Sequence, residues 1–120
     1  MDTSSLPEPL RARMEQQAAR STWETVRDFI EGFVADTSGL DEVRTGLQQT
    51  ADYSTRSLHT ALAAIDAILV EPQPEGTLLR LVAGHGGWDL DHDPTDAGAA
   101  VFLHELAGMV RAVIEQTESR

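Results

Sequence analysis

The stretch that decides the fold is "DPTDAGAAVFLHELAGMVRAVIEQTE", residues 93–118. Its apolar side chains recur at helical spacing: Phe102, Leu106, Met109 and Val113 follow one line, with Leu103, Val110 and Ile114 beside it. One neighbour cannot cover a face that broad, so the pattern predicts a helix of about six turns packed between at least two others. Its start is marked by "DPTD". Asp93 is expected at the N-cap, Pro94 at the first helical position, where its missing amide proton does no harm, and Asp96 at the third, near the positive end of the helix dipole.

Working back along the chain, the same period recurs. In "STRSLHTALAAIDAILVEP", residues 54–72, the stripe is Leu58, Leu62, Ile65, Ile68 and Leu69, closed by Pro72. "LDEVRTGLQQTADY" carries Leu40, Val43 and Leu47 on a shorter helix, weakened by Gly46, which costs about 1 kcal/mol relative to alanine. "STWE", residues 21–24, reads as a capping box in which Ser21 accepts from the third helical amide and Glu24 reaches back. The helix it opens places Trp23, Val26, Ile30, Phe33 and Val34 on one face and ends near Gly39. "LRARMEQQAAR" adds a narrow stripe of Leu10, Met14 and Ala18. "TLLRLVAG", residues 77–84, predicts a short helix stopped by Gly84, with a buried strand as the alternative that periodicity leaves open. The fold class is therefore all-α: a compact bundle of about five helices with a Gly/Trp/Asp-rich loop before the last. Residues 1–8 read as a flexible tail and residues 9–118 as a single helical domain.

Charge narrows the function. The 120 residues hold 20 acids against 9 bases, a net charge of −11, and every base is arginine. Such a chain lacks the basic footprint that nucleic acids or anionic membranes require. It would instead attract a basic protein partner. No window holds the roughly 20 uninterrupted apolar residues of a membrane span, and a cytoplasmic location is expected. With no cysteine, disulfides, thiolate nucleophiles and cysteine-ligated metals are excluded.

The chemistry-bearing residues concentrate in "GHGGWDLDHDPTD", residues 84–96. Calcium-loop spacing fails there, because counting from Asp89 places Pro94 where glycine is needed and Ala100 where a bidentate carboxylate is needed. "HELAG" fails as a zinc motif, with Gly108 in place of the second histidine. His85, His92, Asp89 and Asp91 could still converge on a divalent ion, which defines a small metal-responsive module as one alternative. No nucleophile elbow is present, and no enzyme or cofactor is expected. Trp88 suits either a lid over the bundle end or an exposed anchor beside an acidic rim. A second alternative is a secretion chaperone or helical subunit that uses the Leu10/Met14/Ala18 face.

The order of "LHTALAAIDAILVEP", "QPEGTLLRLV", "GGWDLD" and "FLHELAGMVR" resembles the small helical immunity proteins of bacterial contact-dependent growth inhibition systems, over residues 23–112. That resemblance implies a cytosolic protein that binds and neutralises a cognate toxin. Trp88 would then be the anchor, with Asp89, Asp91, His92 and His85 in or beside the contact loop.

Overall fold

The computed structural model describes residues 22–119. The tail expected over residues 1–8, the Leu10/Met14/Ala18 stripe and Ser21 of the capping box lie outside them. In chain order the described helices are α1 (22–33), α2 (Leu40–Tyr53), α3 (Arg56–Val70), α4 (Thr77–Leu79), which runs on as a π-helical turn over Arg80–His85, and α5 (Asp96–Glu118). No strand occurs among the described residues, so the chain is all-α and the strand alternative for residues 78–82 is overturned.

Helix α5 is the centre of the packing. It touches α2, α3, α4 and the π turn, and it buries Ala99, Phe102, Leu103, Leu106, Ala107, Val110, Val113 and Ile114. Fully burying each of its large apolar side chains contributes about 1.5–3 kcal/mol. By length and composition it could cross a membrane, yet 56% of its apolar window is buried inside the protein. The other helices supply the facing side: Val26, Phe29, Ile30 and Val34 from the α1 region, Val43 and Leu47 from α2, and Leu58, Ile65 and Ile68 from α3. Two surface ties pin α3 to α5. His59 Nε2 and Thr55 Oγ1 meet the Glu118 carboxylate at 2.8 and 2.9 Å, and Arg111 reaches Asp66 at 3.3 Å.

Three helix ends differ from the sequence reading. Helix α1 stops at residue 33, six before Gly39. The left-handed residue there is Asp36, at φ 63, a conformation that aspartate tolerates better than most side chains. Gly39, at φ 171, is extended and sits at the N-cap of α2.

The short helix over 77–84 does not stop at Gly84 but widens. Gly86 N–H donates to the Leu81 carbonyl at 3.0 Å, five residues back. The wider turn carries Gly86 under α1, where a Cβ would lie 2.6 Å from the Val82 carbonyl oxygen and 2.8 Å from Ile30 Cγ2. Only glycine fits so close an approach.

At α5 the cap is Thr95, not Asp93, and its hydroxyl accepts from the Gly98 N–H at 3.3 Å. Asp93 and Pro94 fall just outside the helix, and Asp96 takes the first position rather than the third. Asp96 caps a different helix: its carboxylate accepts from Gly76 N–H at 2.6 Å and Leu79 N–H at 2.9 Å, at the start of α4. Those two amide bonds hold its carboxyl below the ordinary 3.8. A depressed folded-state pKa contributes stability at pH values above the ordinary one, and that contribution disappears as pH falls through the folded value. Asp96→Asn should therefore lower Tm by several degrees at pH 7, and the gap to wild type should narrow as pH falls below the ordinary 3.8, as thermal melts across pH would show.

Candidate functional site

Residues 86–95 join the π turn to α5, and the chain is fastened there at several points. Trp88 N–H donates to the Val82 carbonyl at 3.1 Å. Its half-buried indole packs on Phe102 of α5, with ring centroids 4.8 Å apart and planes tilted by 38°. Leu90, flanked by two aspartates, is only 5% exposed and plugs the core. Asp93 N–H closes a turn on the Leu90 carbonyl at 2.9 Å, and Thr95 donates its hydroxyl to Asp93 Oδ1 at 2.6 Å. Gly98 completes the fastening. It is buried in the first turn of α5, where an added Cβ would collide with the Asp93 carbonyl oxygen and lie 2.9 Å from Asp93 Cβ.

A rigid floor leaves the acids outside. Asp89, Asp91 and His92 are exposed. Asp91 N–H donates to Asp89 Oδ1 at 2.9 Å, turning the Asp89 carboxylate back over the Asp91 backbone. Hydrogen bonding and repulsion from Asp89 push the Asp91 carboxyl above its ordinary 3.8, while His92 pulls weakly the other way. Two carboxylates held side by side in this way repel each other until a cation arrives. A cleft of about 250 Å³ adjoins them, lined by Thr37, Ser38, Gly39, Gly87, Trp88 and Asp89.

Trp88 thus acts as a lid on the bundle while keeping part of its ring at the surface. His85 lies apart from that acidic pair, beside α1. Its Nδ1 lies 2.9 Å from Glu31 Oε1 on α1, and its ring meets Trp23 edge-on at 5.6 Å. Arg27 covers Trp23 at 5.0 Å, making a stack of arginine, tryptophan and histidine across α1 and the π turn. His85 is thereby committed to Glu31, and no group of three or more His, Asp or Glu among the described residues is placed to hold a metal ion. Sequence reasoning missed Leu90, Thr95 and Gly98. The signal for Leu90 was its lone apolar character within "DLD".

No protein-family model, curated protein or solved structure matches this chain.

Proposed function

We propose that this is a non-enzymatic acidic binding protein of the immunity type, which masks a basic toxin domain or another cationic protein through residues 88–92. One observation carries the reading: Asp89 and Asp91 are held together and exposed on a loop that Leu90 and Trp88 anchor to the core. An anchored acidic pair loses little conformational freedom on binding, and a partner's arginine or lysine would relieve its internal repulsion. Trp88, half-buried beside the pair, supplies an aromatic edge of the kind that concentrates binding energy. The net charge of −11 adds long-range attraction to a basic surface.

The double variant Asp89→Ser/Asp91→Ser should slow association with the partner about tenfold and flatten its salt dependence, with Tm nearly unchanged. Stopped-flow association at several ionic strengths measures this. Unaltered kinetics would remove the loop from the interface. Because Asp91 is held above its ordinary pKa, wild-type association should weaken on acidification sooner than for a surface with ordinary aspartates.

A further inference from the structure

Beside the acidic pair, the connection between α1 and α2 faces the loop before α5 across the cleft of about 250 Å³. Thr37, Ser38 and Gly39 form one wall, and Gly87, Trp88 and Asp89 form the other. Pockets that enclose whole drug-sized ligands run to about 300–1,000 Å³, so this one suits a single side chain of a partner.

The hydrogen bonds of the walls decide which side chain. Thr37 donates its hydroxyl to the Val34 carbonyl at 2.6 Å, and Ser38 donates its hydroxyl to Glu42 Oε2 at 2.7 Å. A carbonyl and an ionised carboxylate can only accept, so both hydroxyl protons are committed and oxygen lone pairs remain for an incoming group. Backbone donors are committed in the same way: Thr37 N–H to the Val34 carbonyl at 3.3 Å, Ser38 N–H to Glu42 Oε2 at 2.8 Å and Trp88 N–H to the Val82 carbonyl at 3.1 Å. Asp89 adds a carboxylate to the wall. Glu42 lies behind Ser38, and the Ser38 N–H and hydroxyl hold its carboxyl below the ordinary 4.5. Phe102 packs on the Trp88 indole, which is half-buried and keeps part of its ring at the surface. Acceptors, negative charge and an aromatic ring thus meet in one cleft, a combination that disfavours anions and suits a cation rich in donors.

We propose that this cleft takes an arginine side chain of the partner. Its guanidinium lies against the Trp88 indole and donates to Asp89 and to the Thr37 and Ser38 hydroxyl oxygens. The assignment rests on the masking reading above and names the residue that the loop selects. Arginine fits better than lysine, because a planar guanidinium stacks on an aromatic ring while spreading its N–H donors over several acceptors. An ammonium is a compact charge that holds its hydration more strongly.

The test needs no identified partner. Amide and indole NMR spectra of the full chain are followed during titration with N-acetylarginine amide and, separately, N-acetyllysine amide. The expected result is a saturating shift of the Trp88 indole N–H and of the amides of residues 37–39 and 87–89, with arginine bound about fivefold more tightly than lysine. Trp23, the other tryptophan, already has Arg27 over its ring and should stay unmoved. Asp89→Asn should weaken arginine binding about tenfold, and Thr37→Val, which removes an acceptor at nearly constant shape, about threefold. Equal binding of the two amides would overturn the proposal, as would shifts that leave Trp88 and residues 37–39 unmoved. The two readings fail separately. Arginine-selective binding beside unaltered partner kinetics in Asp89→Ser/Asp91→Ser would support the cleft and remove the masking role. Kinetics that respond, with both amides bound equally, would keep masking and overturn the arginine cleft.

Discussion

Truncating Leu103 to alanine is expected to cost about 4 kcal/mol of folding free energy and on the order of 15 °C in Tm. Leu103 is fully buried on α5, the helix that contacts α2, α3, α4 and the π turn. A void there is walled by several elements that cannot all move inward, so little of the lost contact is recovered. That loss is a large fraction of the ~5–15 kcal/mol that holds a typical domain together. Urea unfolding measures it as a lower midpoint at unchanged slope. A loss under about 1 kcal/mol, within the range of surface substitutions, would mean that α5 is not the central helix.

The second large effect is expected at Gly98. Alanine there drives its methyl group into the Asp93 backbone carbonyl, and backbone cannot rotate aside as a flexible side chain can. Overpacking of this kind costs about 3 kcal/mol. Relief requires Asp93 to retreat, which strains the Leu90 turn and displaces Asp89 and Asp91 with it, so partner binding should fall together with stability. Gly108 supplies the control within the same helix. It is exposed and an added Cβ would meet nothing within 4 Å, so Gly108→Ala should stabilise by up to about 1 kcal/mol. Opposite signs at two glycines of one helix would separate the close approach from helix propensity. A Gly98→Ala protein as stable as wild type would show that the loop does not pass over the start of α5.

The helices were legible because burial wrote a 3.6-residue period into them. Every member of the broad α5 stripe is buried except Met109, which packs against the core from its edge. The cap was legible to within two residues only. "DPTD" offers three capping side chains, and local preference does not rank Asp93 against Thr95. What ranks them is tertiary: Gly98 lets the Asp93 carbonyl approach, and the α4 amides take the Asp96 carboxylate. The π turn left no mark in composition, since its wider hydrogen bonds answer to the space beneath α1. The contact of His85 was not legible for a similar reason. Its partner Glu31 is 54 positions away, outside the reach of any spacing rule. The acidic balance was plain from the sequence, but the pairing of Asp89 with Asp91 over a buried Leu90 needed the fold.

The most direct test of acidic masking is co-purification of the tagged protein from its native cells, wild type beside Asp89→Ser/Asp91→Ser, with low- and high-salt washes compared. The account predicts a stoichiometric basic protein that is retained at low salt, released as salt rises, and depleted with the double variant. A partner that survives high salt and is recovered equally with both proteins would contradict it.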